Sequence, residues 1–181
     1  MKNLLMLLTF VLSFPIIGFS QNVSSEKETK YGALISKSGT IFTSQTYNLG
    51  TVQLPSAYVE TLKQSMSFSV VKIINGASSA TFLRISHVGY NESSLAMIES
   101  SDVKGLFKAV NDIKKLKDKP TPEGAVVEHT YMGADGVTVS LSDDIWKIQL
   151  EKYTHDSVDT KEIDMFINKL QEAITKMDSI K

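Results

Sequence analysis

Two stretches of the chain carry the apolar spacing of amphipathic helices. Apolar residues recur every three or four positions within 101–117 and again within 160–178. The first stripe consists of Val103, Leu106, Phe107, Val110 and Ile113, and the second of Ile163, Phe166, Ile167, Leu170, Ile174 and Met177. Pro120 prevents the first helix from continuing. We therefore predict helices over 101–117 and 160–178.

Polar residues predict where these two helices begin. Ser100 or Ser101 can cap the first helix, whose first turn carries Asp102, where the helix dipole favours a negative charge. Asp159 is followed three residues later by Glu162, which is the spacing of a capping box. Both helices are therefore expected to start on a side-chain cap.

Apolar alternation and turn residues predict strands before each helix. The segments before the first helix are 31–35 and 40–43 as a hairpin around Gly39, then 51–54, 66–74, 81–88 and 95–98. Those before the second helix are 137–141 and 145–153, separated by a turn at 142–144. Asn75–Gly76 is a turn signal between two strands. Residues 55–64 fit either a short helical turn or an irregular strand.

The two predicted helices and their preceding strands align as an internal repeat. The helices align at an offset of 60, and Leu83–Ile85 matches Trp146–Ile148 after a three-residue gap. Any two amphipathic helices that follow a strand look alike, so coincidence stays an alternative. We predict an α+β fold of two duplicated units of antiparallel strands, each followed by one helix that packs on the sheets.

The predicted domain organisation follows from this repeat. A first unit over 31–119 ends in the helix at 101–117. Proline and glycine mark a linker over 120–124. A second unit over 125–181 ends in the helix at 160–178.

Residues 1–20 have the pattern of a secretory signal peptide rather than of a folded element. A positive charge precedes an apolar run over 4–19, and small residues occupy the −3 and −1 positions before Gln21. We expect cleavage before Gln21, a flexible leader over 21–30, and no stable membrane anchor in the mature protein. An uncleaved anchor is the alternative, although Pro15 interrupts the run.

Composition narrows the expected compartment and partners. The chain has no cysteine, which excludes disulfides, thiol catalysis and thiolate metal sites and is typical of a bacterial periplasmic or secreted protein. The formal net charge is −1 and Arg84 is the single arginine, so we expect no nucleic-acid partner. We expect no cofactor.

The order of strands, cap and helix in the first unit resembles a known repeat. Phe82–Ser86, followed by the stripe from Val103 to Ile113, is similar to the purine-rich-element-binding (PUR-type) repeat. In that family, two strand-rich repeats that each end in a helix combine into one nucleic-acid-binding domain. The layout also resembles small exported bacterial proteins of unknown function. From either resemblance we take the topology alone.

The histidines do not form a metal motif. His87, His129 and His155 lack the spacings of zinc sites, so we predict no metal ligand set. His87 aligns with Leu150 and is expected to face the core. His155 is expected in a loop. If a binding surface forms between the units, His87, Tyr90, Tyr153 and His155 are its candidates.

These observations leave three hypotheses for the function. The first is an exported non-enzymatic domain that binds a partner protein or an envelope component. The second is a small-ligand or metal-binding protein that uses the cleft between the two units. The third is a hydrolase whose site the sequence does not reveal, and we assign no catalytic residue.

Overall fold

The computed structural model describes residues 29–36, 39–55, 63–88, 93–133, 136–150, 154–159 and 162–180. The predicted signal peptide, most of the leader, and both Tyr90 and Tyr153 lie outside these residues. Among the described residues, no helix has the length and apolar composition needed to span a membrane.

The described chain forms three helices and eight strands, and each of the two longer helices follows a run of four strands. The elements are α1 (Lys30–Ile35), β1 (Thr43–Pro55), β2 (Lys63–Asn75), β3 (Ser78–Val88), β4 (Ser93–Glu99), α2 (Ser100–Leu116), β5 (Glu128–Met132), β6 (Val137–Ser142), β7 (Ile145–Leu150), β8 (Thr154–Asp159) and α3 (Ile163–Ser179).

Each run of four strands forms an antiparallel sheet in which strands adjacent in sequence pair with one another. The first sheet has the order β1-β2-β3-β4, and the second has the order β5-β6-β7-β8. The predicted turn at Asn75–Gly76 joins β2 to β3, where Gly76 has a φ of 60°. Glycine adopts that conformation without steric cost. The predicted α+β class is therefore confirmed, with two antiparallel sheets and three helices.

The inner face of each sheet is apolar because side chains alternate across a strand. The buried inner positions of β2 are Met66, Phe68 and Val70, and those of β7 are Trp146, Ile148 and Leu150. They belong to one continuous cluster that also holds the buried stripes of α2 and α3. Both sheets thus share a single core.

The two longer helices pack on the sheets, and α2 contacts both of them. α3 packs against α2 and against β1, β2 and β3 of the first sheet. Phe166 of α3 contacts Phe68 of β2 edge-on, with ring centroids 5.9 Å apart. α2 packs against β3 and β4 and also against β5 and β6. The helix that follows the second sheet in sequence therefore covers the first.

Polar contacts along the edge of α3 reinforce this packing. The Lys169 Nζ atom donates to the carbonyl of Leu49 at 2.5 Å, beside a β-bulge in β1. The bulge is stabilised locally, because the Gly50 N–H donates to the Asn48 side chain at 2.7 Å. These contacts hold the first strand of one sheet against the last helix of the chain.

The predicted hairpin over 31–43 is wrong, because residues 30–35 form the helix α1. The Thr29 hydroxyl accepts a hydrogen bond from Gly32 N at 3.1 Å and caps this helix. Residues 40–42 precede β1 and are not part of a strand.

α1 covers a second apolar cluster on the outer face of the first sheet. Val71, Ile73 and Phe82 are buried there beneath α1. Tyr31 meets Phe82 edge-on at a centroid distance of 5.5 Å, and Leu34 packs beside it. The apolar residues at 31–35, which predicted a strand, thus form a helix. The helix buries the apolar residues on the outer face of the sheet.

β5 and β8 are two strands that the apolar pattern did not predict. Both lie at an edge of the second sheet. The prediction that His155 lies in a loop is wrong, since Thr154–Asp159 pairs with β7. Edge strands often carry polar and charged side chains, which discourage pairing with another chain.

The two long helices begin without the predicted side-chain caps. Glu99 is at the N-cap position of α2, Ser100 is already helical, and no side-chain cap hydrogen bond forms. Glu162 is at the N-cap position of α3, again without such a bond. The predicted capping box is wrong because Asp159 belongs to β8 and pairs with Ile145.

Candidate functional site

His87 lies inside the core rather than on a surface. It is 4% exposed and sits on β3 between Met66 of β2 and Ser94 of β4, its partners across the strands. Desolvation by burial lowers the pKa of the imidazole below its usual value of 6.5. The expectation that His87 faces the core is therefore confirmed.

The other candidates for a surface between the units are distributed differently. His155 lies on β8, where its backbone pairs with Gln149 in the second sheet. His87 belongs to the first sheet, so the two histidines are on different sheets. Tyr90 and Tyr153 lie outside the described residues. A common surface formed by these four residues stays a prediction.

A pocket of about 440 Å³ lies between the end of α2 and the second sheet. We call it the junction pocket. Its lining residues are Leu116, Lys117, Lys119, Pro120, Thr121, Pro122, Val127, His129, Leu141, Asp143 and Asp144. Its volume falls within the range of about 300–1,000 Å³ that is usual for small-ligand sites.

Three parts of the fold position these side chains. The first is the end of α2, where Lys119 N donates to the Leu116 carbonyl at 3.1 Å. The second is the predicted linker, where Pro120 and Pro122 restrict the backbone. A local hydrogen bond also stabilises this segment, because Ala125 N donates to the Pro122 carbonyl at 3.1 Å.

The third part is the second sheet, which provides the inner wall and one rim. Leu141 of β6 is buried, and its partner across the strands is His129 of β5. The rim is the turn between β6 and β7, where Asp143 and Asp144 have φ values of 49° and 66°. A two-residue hairpin with this twist requires positive φ at both positions.

The turn at Asp143 and Asp144 therefore combines backbone strain with negative charge. Asparagine, aspartate and glycine are the usual residues at the first position of such turns and glycine at the second, so the backbone strain falls on Asp144. Two adjacent carboxylates also repel one another. Lys117 compensates in part, because its Nζ atom lies 3.5 Å from Asp144 Oδ1. Strained, charged turns of this kind are found at functional sites.

The pocket combines an apolar wall with both signs of charge. Leu116, Val127 and Leu141 supply the apolar side chains. At the rim, the side chains of Lys119 and Asp143 have no ion-pair or hydrogen-bond partner within the described part of the chain. This arrangement can bind a small molecule through apolar contacts and opposite charges.

The sequence predicts a linker over 120–124 and a plain hairpin turn at 142–144, but it does not predict the pocket. It assigns no role to His129, because His129 fits no metal spacing. Only the approach of α2 to β5 and β6 brings these segments together.

Neither a metal centre nor a known family accounts for the site. Within the described ranges, no group of three or more histidine, aspartate or glutamate side chains is arranged to hold a metal ion. No protein-family model matches the chain, and no curated protein is significantly similar to it.

Proposed function

We propose that this protein is an exported, non-enzymatic binding protein, periplasmic or secreted in a bacterium, whose ligand is a small molecule of the cell envelope or its surroundings. We propose further that the junction pocket is its ligand site. The observation that carries the proposal is the pocket itself: an apolar wall with unpaired charges of both signs at its rim. An unrecognised hydrolase is the alternative.

Export is supported by the amino-terminal pattern of residues 1–20. Amino-terminal sequencing of protein recovered from the periplasm or the medium tests it. A mature chain that begins at Gln21 is the expected result. A chain that retains Met1 and sediments with membranes would contradict both cleavage and release.

The pocket favours ligand binding within the junction of the two units. Its lining comes from the end of α2, from the linker and from the second sheet, so both units are required to form it. Because several elements line the pocket, a ligand there can be contacted from more than one side, as is usual for small-molecule sites.

We also propose that the two units arose by duplication. Leu83 pairs with Ile98 in the first sheet, and Trp146 pairs with Val158 in the second. The residues of each pair are related by the offsets of 63 and 60 that the sequence repeat predicts. Four buried positions of α2, namely Val103, Leu106, Val110 and Ile113, likewise correspond to Ile163, Phe166, Leu170 and Ala173 of α3. A set of related chains that lacks these two offsets would contradict the duplication.

A thermal-shift panel on residues 21–181 tests the binding function. The panel holds divalent metals with EDTA as control, envelope sugars, peptidoglycan fragments, amino acids and lipids. Ligand binding to the folded state raises the melting temperature, by several degrees when the ligand is far above its dissociation constant. We expect one class to produce such a shift.

A matched pair of variants locates the response. Thr121→Trp places a large side chain in the pocket and is expected to abolish the shift. Thr130→Trp makes the same change at an exposed position of β5 that does not line the pocket, and it should leave the shift intact. A flat response to every class, or a shift that survives Thr121→Trp, contradicts the proposed site.

A partner protein is the second candidate for the ligand. Three large apolar side chains favour it, because Ile41, Met132 and Val126 are 93%, 78% and 75% exposed. Val126 precedes the edge strand β5 and Met132 is its last residue, and another chain can pair with the edge of such a strand. Crosslinking in the native envelope from a photoreactive residue at Met132 tests this candidate, with exposed Thr175 on α3 as control.

A further inference from the structure

The charges at the rim of the junction pocket indicate what kind of molecule it binds. Four charged side chains line the pocket besides His129. Lys117 and Asp144 already form an ion pair. The remaining two are Lys119 and Asp143, both exposed and both without a side-chain partner among the described residues.

These two unpaired charges are of opposite sign. A ligand with only a negative charge would meet Lys119 but also the adjacent carboxylates of Asp143 and Asp144. A ligand with only a positive charge would meet Asp143 but also both lysines. A ligand that carries both charges can pair each group with its opposite, and electrostatic complementarity of this kind provides specificity.

The wall of the pocket indicates the rest of the ligand. Leu116, Val127 and Leu141 are aliphatic, and two prolines add apolar surface. A small aliphatic group on the ligand would therefore be favoured against this wall. The combination describes a zwitterion with an apolar side chain.

We propose, on the basis of the proposed binding function, that the junction pocket recognises a zwitterionic amino acid with an apolar side chain. Lys119 pairs with the α-carboxylate, and Asp143 pairs with the α-ammonium group. The Lys117–Asp144 ion pair links the end of α2 to the turn that carries Asp143. The apolar wall receives the side chain.

Calorimetric titration of residues 21–181 with three related probes tests this assignment. The probes are leucine, leucinamide, which lacks the negative charge, and N-acetyl-leucine, which lacks the positive charge. We expect leucine to bind and each single-charge analogue to bind at least about tenfold more weakly, since each leaves one rim charge unpaired. Equal binding of either analogue would overturn the proposal.

Substitutions then assign the two charges. Asp143→Asn removes the charge and keeps a residue that tolerates positive φ, while Lys119→Gln removes the other charge. Each should weaken leucine binding about tenfold or more. Asp118→Asn is the matched control, because it removes a neighbouring carboxylate that does not line the pocket, and it should change the affinity less than about twofold.

The outcomes separate this inference from the function on which it rests. If leucine fails but another class binds and Thr121→Trp abolishes that binding, the zwitterion proposal is overturned and the binding function is retained. If no class binds at the pocket, both are overturned. Leucine binding that is indifferent to Asp143→Asn and Lys119→Gln overturns the assignment of these residues.

Discussion

His87 is an ionisable residue among the buried apolar residues of the first sheet. Its imidazole can take up a proton, whereas its apolar neighbours cannot. Burial lowers the pKa of His87 in the folded protein below the usual 6.5. Below pH 6.5, the unfolded chain therefore binds a proton that the folded protein binds only at lower pH. Proton uptake by the unfolded state lowers stability as the pH falls.

We predict that the free energy of unfolding falls between pH 7 and pH 5, and that part of this fall comes from His87. In His87→Leu, that part should disappear, so the variant loses less stability on acidification than the native protein does. Urea unfolding at several pH values measures it. His129→Gln is the control and should keep the pH dependence that His87 causes. If the free energy of unfolding of His87→Leu depends on pH as that of the native protein does, burial of His87 does not contribute to the pH dependence of stability.

At the scale of elements, α1 is a short helix that covers an apolar cluster on the outer face of the first sheet. It has no fully buried residue of its own, yet Val71, Ile73 and Phe82 are buried beneath it. Six residues do not form a stable helix in isolation. Packing therefore stabilises α1, through the contact of Tyr31 with Phe82 and a hydrogen bond from Asn75 Nδ2 to the Leu34 carbonyl at 2.8 Å.

We predict that Tyr31→Ala lowers the free energy of unfolding by about 1–2 kcal/mol, because it removes an aromatic pair and part of the cover over Phe82. Chemical denaturation measures the change. Lys30→Gln is the control: it breaks the ion pair of Lys30 with Glu99, in which the lysine side chain is 70% exposed. Its effect should stay within about 0.5 kcal/mol. Equal effects of the two substitutions would contradict a covering role for α1.

At the scale of the whole molecule, the two sheets are expected to unfold together. α3 follows the second sheet in sequence but packs on the first, and α2 contacts both sheets. The apolar stripe of α3 therefore finds its partners only when the first sheet is present. A single core of this kind predicts one cooperative transition rather than two.

A substitution in the first sheet, observed from the second, tests this cooperativity. Trp146 is the single tryptophan and lies in the second sheet, so its fluorescence reports on that sheet. Phe68→Ala in the first sheet should lower the free energy of unfolding by about 3–5 kcal/mol. The fluorescence and circular dichroism transitions should shift together. Ser67→Ala, at an exposed neighbouring position, should shift neither. A fluorescence transition that stays in place while the circular dichroism transition moves would mean that the two sheets unfold independently.

The apolar pattern predicted those parts of the fold in which a residue's own neighbours decide its structure. The stripes of α2 and α3 have a helical period, and the alternation around Trp146 has the period of a strand, so both could be found in the sequence. Helix starts were less predictable. Asp159 has the chemistry of a cap but lies in β8, because pairing with Ile145 competes with capping.

The amino-acid sequence by itself therefore determined the α+β class, the two long helices, the inner strands and the core position of His87. Period, turn residues and apolar content are local properties, and they carry that information. The tertiary structure alone decided that Tyr31–Ile35 is a helix, that polar segments become the edge strands β5 and β8, and that Lys119 and Asp143 line one pocket. Each of these depends on a surface supplied by residues distant in sequence, which no local pattern contains.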